Sequence, residues 1–438
     1  MKRAYIIIAT AAAALLSLSN ASAQTFQTGY FLENYTFSYQ LNPASQPADT
    51  RGFVGIGIDN ISVGANANVG LSSFFFPGTV DGKKALLNGF NEQVSAETFL
   101  GALNDNNKAN VNAAVNVLSF GFRGKRQSNF WTFELNVKAN ASANAPKDLF
   151  SALKLGATAP ANYNAGGTWF NTTDYVEAAL GFSHRFNRNI SFGARFKALV
   201  GVSDIAINLS DFNISANEQI SVNAKGDLDI HAVGLTFPKD AEGNYIFDVD
   251  GDEKIGPAGF GAAFDLGLEV RFPNAEGLTF SAALLDLGGL SWNNGNLGKA
   301  AFNGTIGDES SLNIEELFTP GENGVSEFIM LSPTLNLGLK YQLAKKLNVG
   351  AFATARTGRY SNYEARLGAS FNAGKVLSLA GSAGINTCGA CFGAALSLKI
   401  PGINFYIGTD SVIAQFTPEW IPVNKLNTRI NLGLVIAF

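Results

Sequence analysis

The sequence has little of the chemistry that metal and thiol sites need. Its 438 residues include only two each of cysteine, methionine and histidine, and only 15% are charged. The charged fraction is well below the roughly 25% of ordinary soluble domains. So few cysteines and histidines argue against a zinc cluster, and we expect no such centre. A net charge of −4 without a polybasic segment argues against a nucleic-acid partner.

The chain also lacks a long apolar run beyond residue 23. Residues 1–23 have the features of a cleaved signal peptide: Lys2 and Arg3, an apolar stretch over 6–18, and the small residues Ala21-Ser22-Ala23. The alternative, an N-terminal membrane anchor, is less favoured because the apolar run is short for a membrane span. We therefore expect an exported protein that must hide its apolar residues without membrane helices.

What the sequence has instead is strict alternation. In residues 260–272 every even position is apolar and every odd position is small or charged, and residues 334–343, 363–371 and 429–438 repeat this pattern. Period-2 segments of about ten residues are typical of transmembrane β-strands.

Connection lengths distinguish this interpretation from a soluble β-sandwich, whose strands also alternate. Short turns (187–189, 273–276, 344–346, 372–375 and 401–402) alternate with long insertions (72–109, 141–172, 237–258, 293–331 and 413–426). Barrels have this asymmetry, with the long loops at the cell exterior. The sequence therefore predicts an all-β protein, in which residues 51–438 form a single transmembrane antiparallel β-barrel of about 14 to 16 strands. Short loop helices are expected near 96–103 and 146–155.

Residues 24–50 do not alternate, and they contain a turn signal at Asn42, Pro43 and Ala44. Their aromatic residues would lose burial energy in water. We therefore expect this segment to lie in the barrel lumen as a plug.

Several short motifs carry a family resemblance: residues 28–31, Leu41-Asn42-Pro43-Ala44, residues 259–267 and Leu285-Asp286-Leu287-Gly288. They resemble an uncharacterised family of Gram-negative outer-membrane barrels, itself similar to long-chain fatty-acid transporters and to accessory barrels of type IX secretion. The resemblance implies a luminal hatch at Asn42, Pro43 and Ala44.

The predicted luminal face carries many charges, nine basic against five acidic. Side chains that neutralise one another are the first interpretation, and a conducting pore with a basic strip of Arg195, Lys197, Arg366 and Arg429 is the second. The luminal candidates are Arg195, Lys197, Asp265, Glu269, Arg271, Glu364, Arg366 and Arg429.

Two smaller motifs lie in predicted loops. Asp248, Asp250 and Asp252 resemble the start of a calcium-binding loop, but the pattern is incomplete, and a solvated acidic turn is favoured. Cys388 and Cys391 lie at a predicted hairpin tip, where an exported chain would form a small disulfide.

No nucleophile elbow or paired-acid arrangement is present, so we expect no enzyme and no cofactor beyond the weak calcium candidate. The favoured role is binding or passage of a small molecule across the outer membrane. The resemblance to fatty-acid transporters implies a hydrophobic molecule and a route through the barrel wall. The alternative is a non-conducting barrel that anchors a surface or periplasmic protein. The expected partners are outer-membrane lipid, a small solute and such a protein.

Overall fold

The structure is a computed structural model. It describes residues 26–33, 35–47, 51–125, 127–156, 161–216, 220–232, 257–306, 323–411 and 427–438.

The strands dominate this part of the chain. In chain order they are β1 Gly52–Ala67, β2 Phe75–Val80, β3 Lys83–Asn88, β4 Asn106–Arg123, β5 Asn129–Pro146, β6 Ala161–Asn164, β7 Thr168–Arg185, β8 Ile190–Ala216, β9 Ile220–Ala232, β10 Gly259–Arg271, β11 Leu278–Ile306, β12 Asn323–Met330, β13 Thr334–Ala344, β14 Leu347–Arg356, β15 Asn362–Ala373, β16 Leu377–Asn386, β17 Gly389–Ile400, β18 Gly402–Ser411 and β19 Asn427–Ala437. Helices α1 (Ala96–Gly101) and α2 (Lys147–Leu155) and three 3₁₀ turns (Thr28–Phe31, Thr36–Gln40 and Leu71–Ser73) complete the elements.

Fourteen strands close into one antiparallel barrel, at the lower limit of the predicted range. The ring order is β1, β4, β5, β7, β8, β10, β11, β13 to β19, and β19 pairs back onto β1. β9 and β12 lie outside this ring. β9 pairs with the far ends of β8 and β11, and β12 pairs with residues 289–296 of β11, beyond the ladder between β11 and β13. Their alternating sequences resemble those of barrel strands, so sequence alone cannot separate them from the ring.

The alternation places apolar side chains on the outside. Leu266, Leu337 and Leu432 are each about two-fifths exposed, whereas their neighbours Asp265 and Asn431 are buried. This outer apolar band is the signature of a transmembrane barrel. Among the described residues, no helix is both long and apolar enough to cross a membrane.

Connections at the two ends of the barrel differ in length, as predicted. At one end, which we term the short-turn end, the strands are joined by turns such as 345–346 and 374–376, and the C-terminal Phe438 also lies there. At the other, the long-loop end, β2 and β3 form a hairpin between β1 and β4. Both predicted helices are present there, α1 with Ser95 as its N-cap and α2 with Pro146 immediately before it.

Register irregularities interrupt the wall at several points, and two of them contain a residue with a positive φ. In β1, five residues after Val54 face only two residues of β19, and Gly57 has a positive φ of 88°. In β11, the register against β10 shifts at Asp286, which has a positive φ of 60°. A bulge changes which residues point inward, so both bulges alter the composition of the lumen.

Candidate functional site in the plugged lumen

Residues 26–33 and 35–47 lie inside the barrel and form its main apolar core. Their aromatic side chains pack with wall residues of β1, β5, β14 and β18 in one buried cluster. It comprises Phe26, Phe31, Tyr35, Phe37, Tyr39, Phe53, Phe130, Phe352 and Tyr406. Tyr35 meets Tyr406 edge-on at 4.9 Å between ring centroids, and Tyr39 stacks on Phe53 at 6.0 Å. The barrel is therefore filled by a segment that precedes its first strand.

The Asn42-Pro43-Ala44 turn of this segment lies close against the wall. Asn42 Oδ1 accepts a hydrogen bond from Ala44 N at 2.9 Å, and Asn42 Nδ2 donates to Leu268 O at 2.9 Å. A Cβ atom on Gly193 would lie 2.1 Å from Pro43 O, and one on Gly267 would lie 2.0 Å from Asn42 Oδ1. Glycine at both wall positions is what allows the turn to sit there.

Polar groups of the wall hold the segment at both ends. Near its start, Asp410 accepts hydrogen bonds from the backbone N–H groups of Gln27 at 3.1 Å and Thr28 at 2.6 Å. Further along, Glu134 accepts hydrogen bonds from Tyr39 Oη at 2.8 Å and from Gln40 Nε2 at 2.6 Å. Because the carboxylates are charged acceptors in a buried site, each of these hydrogen bonds is stronger than one between neutral groups.

Burial also keeps the phenols of the segment neutral. It raises the pKa of Tyr30 to about 12, although a hydrogen bond with Ser281 opposes the shift. Burial likewise raises the pKa of Tyr39 well above its usual range, with the nearby Glu134 carboxylate adding to the effect. Both phenols therefore keep their protons at physiological pH. Tyr30 Oη accepts from Ser281, and Tyr39 Oη donates to Glu134.

Three of the predicted luminal charges, Arg195, Lys197 and Asp265, meet in a network beside the plug. Arg195 pairs with Glu134 and Asp265, and Lys197 reaches Asp265 at 2.7 Å and Asp286 at 2.6 Å. Lys138 joins Glu177 at 2.6 Å in the same region. A buried charge is tolerated only when it is paired, so the network is first of all a means of filling the lumen.

A second network lies near the start of the plug. Arg366 pairs with Glu364, and Arg429 Nη1 contacts Asp410 Oδ2 at 2.9 Å. Each of the four residues proposed as a basic strip thus has a carboxylate partner. This pairing favours the first interpretation, mutual neutralisation, and the conducting basic strip stays a prediction.

The remaining candidates, Glu269 and Arg271, lie at the short-turn end rather than in the middle of the lumen. They pair with each other at 2.9 Å, and Arg271 is half exposed. The buried or partly buried acids that the sequence analysis missed include Asp59, Asp286 and Asp410. The first two follow from the bulges in β1 and β11, which break the alternation.

A cavity of about 460 Å³ separates part of the plug from the wall near the short-turn end. Tyr30, Leu41 and Phe352 provide apolar surface, while Asn336 and Lys340 provide polar groups. The Lys340 ammonium lies 4.8 Å from the centre of the Tyr30 ring, a cation–π contact. The cavity can accept a small molecule with both polar and apolar parts.

The long-loop end of the lumen is covered by the β14–β15 loop. Arg359 donates two hydrogen bonds to Asp204, at 2.9 and 3.0 Å, and Thr173 Oγ1 bridges Asp204 to Tyr360. On β9 beside them, burial lowers the pKa of His231, so its imidazole is neutral at pH 7. Plug, charge networks and this loop together fill much of the lumen that the described residues enclose.

The structure describes one of the two smaller sequence motifs, the cysteine pair. The predicted disulfide between the two cysteines is not formed. β17 begins at Gly389, so Cys391 belongs to this strand and not to the turn. Its side chain points into the lumen, 3.9 Å from Glu364. Asp248, Asp250 and Asp252 lie outside the described residues. Within the described ranges, no group of three or more His, Cys, Asp or Glu residues could hold a metal ion.

The model of a family of unknown function, DUF5723, matches residues 43–410. The chain belongs to this family. The match agrees with the predicted membership of an uncharacterised barrel family. For this DUF5723 protein, no curated protein gives a sequence match.

Solved structures similar to this DUF5723 barrel include three transporters or transporter homologues. The toluene transporter TodX of Pseudomonas putida is 10% identical, with 95% of this chain and 98% of TodX covered and a TM-score of 0.46. A FadL homologue of Pseudomonas aeruginosa is 10% identical over 96% and 98% of the two chains, with a TM-score of 0.46. The toluene transporter TbuX of Ralstonia pickettii is 11% identical over 91% and 92%, with a TM-score of 0.42.

Proposed function

We propose that this protein is an outer-membrane barrel that binds or passes a small, partly apolar molecule, and that residues 26–47 are its removable plug. The observation that carries the proposal is the way in which the lumen is filled. Among the described residues, the filling segment is followed along the chain by β1, and every barrel strand lies on that C-terminal side of it. Such a segment can move without breaking the strand ladder, whereas a lumen filled only by wall side chains has no comparable gate.

The contacts of the plug fit a reversible closure. Its aromatic cluster gives burial energy, and Asp410 and Glu134 hold it at two separated points. Asn336 Nδ2 also donates to the backbone oxygen of Leu41 at 2.9 Å. Each contact is non-covalent, so a ligand that competes for this surface can shift the plug between two states.

The cavity beside the plug indicates the class of molecule. Its lining combines the Tyr30 and Phe352 rings with amide and hydroxyl groups, and Lys340 contributes a positive charge. The charged middle of the lumen does not suit a continuous apolar conduit. A molecule with an apolar part and a polar group fits both regions.

Single-channel recording in a planar bilayer tests the plug. We expect deletion of residues 24–44 to leave a folded, heat-modifiable barrel with higher conductance than the full chain, because the apolar core of the lumen is removed. Asp410→Ala, which keeps the segment but removes its contacts to Gln27 and Thr28, should raise the frequency of opening. Leu153→Ser, at an exposed position of α2, is the matched control and should behave like the full chain.

The two variants separate the possible outcomes. If the deletion fails to fold, Asp410→Ala still tests the gate in an intact barrel. A folded deletion and a folded Asp410→Ala that both stay electrically silent would contradict the plug, and would support a barrel that anchors a partner.

A further inference from the structure

Basic side chains surround the short-turn end of the barrel. They occur at every strand connection there and beside the N-terminal end of β1. This set, which we term the basic rim, comprises Arg51, Arg123, Lys125, Arg185, Arg188, Arg271, Lys345, Lys346, Lys375 and Lys399. Seven of the ten are exposed, and the other three are partly exposed.

Acidic residues are scarce at the same end. On the described turns and strand ends there, Glu276 is exposed, and Glu269 is paired with Arg271. The long-loop end is different, because the turn between β2 and β3 places Asp81 beside Lys83, and β9 carries both Lys225 and Asp227. The excess of positive charge is therefore a property of one end of the barrel.

A belt of exposed apolar side chains lies next to the basic rim on the outer surface. Trp131, Phe186, Phe272, Leu343 and Phe438 belong to it, with Phe186 and Phe438 about two-thirds exposed. Aromatic belts flanked by long basic side chains mark the level of lipid head groups, where the charged ends extend toward water and phosphate. The rim thus lies where the membrane surface meets the barrel.

We propose that the basic rim binds the head groups of anionic phospholipids in the leaflet on the short-turn side. Its shape is the main argument. Arg123 donates to Gln46 Oε1 and Pro47 O of the plug, and Arg271 pairs with Glu269, so these two residues are partly engaged with the lumen. The other eight still occur beside β1 and at every strand connection of this end except β10–β11. They follow most of the circumference, and the partner that surrounds a membrane barrel on all sides is its lipid annulus. A docked protein would need a patch on one side, which this even distribution does not provide.

Electrostatics supports the same partner. Basic side chains at a membrane surface attract anionic lipids over a short range that salt reduces. The rim does not depend on the plug or on passage of a solute, so this inference stands apart from the proposed function.

Electron spin resonance of acyl-labelled lipids measures annular selectivity directly. The purified full chain is reconstituted in phosphatidylcholine with a trace of spin-labelled phosphatidylglycerol or spin-labelled phosphatidylcholine. We expect the barrel to favour phosphatidylglycerol by about two- to fivefold at low salt, with the preference falling in 1 M salt because charges are then screened within about 3 Å.

Matched variants assign the preference to the rim. The rim variant carries Lys125→Gln, Arg188→Gln, Lys345→Gln and Lys346→Gln and should lose most of the selectivity. The control carries four exposed substitutions away from the short turns, Lys83→Gln, Lys84→Gln, Lys108→Gln and Lys225→Gln, and should keep it. Heat-modifiability confirms that both variants are folded.

Three results would overturn the proposal: no selectivity in the wild type, selectivity retained by the rim variant, or equal loss in rim and control variants. Soluble polyglutamate serves as a probe for the other class of partner. If the wild type shows no lipid preference but binds polyglutamate through the rim, the surface recognises an acidic polypeptide, and the lipid assignment is wrong.

Discussion

Gly193 shows how one residue of the wall controls the position of the plug. Its missing side chain leaves room for Pro43 O, and the atom in the way of a Cβ belongs to the backbone, so it cannot rotate aside. Overpacking of this kind typically costs 1 to 3 kcal/mol.

We therefore expect Gly193→Ala to lower the free energy of unfolding by roughly 1 to 3 kcal/mol, or to displace the plug turn and raise conductance. Gly381→Ala is the matched control, because a Cβ there meets no atom within 4 Å. It should change stability by less than about 1 kcal/mol. Urea unfolding in lipid and single-channel recording measure the two effects, and equal behaviour of both variants would show that the plug does not press on Gly193.

Individual charged residues also show which side chains of the lumen could be predicted from the sequence and which could not. Arg195, Lys197, Asp265, Glu364, Arg366 and Arg429 could be placed in the lumen because regular alternation carries them inward. Asp59 and Asp286 could not, since each follows a bulge that alters the alternation. The sequence therefore predicted too few acidic partners for the basic residues. In the structure, the apparent excess of positive charge in the lumen is a nearly balanced set of ion pairs.

The strands themselves were predictable because lipid and lumen select opposite residue types. Leu337 of β13 illustrates this, with an exposed apolar side chain between the inward-facing Asn336 and Gly338. The alternation does not show how far a strand extends beyond the membrane. β8 has 27 residues and β11 has 29, and their outer parts pair with β9 in a sheet beyond the ring.

Substitution on the outer face tests this assignment. Leu337→Arg should lower the free energy of folding into lipid by roughly 2 to 4 kcal/mol if the site is near the bilayer midplane, because a charge then faces hydrocarbon. Leu86→Arg, at a half-exposed site of β3 outside the barrel ring, should stay within about 0.5 kcal/mol of the wild type. Equal tolerance of the two substitutions in a lipid folding assay would mean that the outer face of β13 does not meet lipid.

The two ends of the barrel differ, and charged side chains in the lumen between them are paired with opposite charges. The plug enters from the short-turn end, where Gln46 Nε2 donates to Ser128 O at 3.0 Å. Its first described residues reach the Asp410 network deeper in the lumen. An N-terminal segment can turn back into its own barrel only if the first barrel strand starts at the end from which the segment enters. β1 starts at the short-turn end, as this requires. The direction of the barrel in the membrane then decides from which side the plug can be released.

Cysteine labelling of intact cells determines that direction. Thr79 in the β2–β3 hairpin and Asn274 in the β10–β11 turn are both exposed, and they lie at opposite ends. In a background with Cys388→Ser and Cys391→Ala, we expect a membrane-impermeant maleimide to label Thr79→Cys in intact cells, because long loops face the exterior in barrels of this type. Asn274→Cys should react only after the outer membrane is permeabilised. Labelling of Asn274→Cys alone would reverse the orientation, and would place both the basic rim and the entry of the plug at the cell surface.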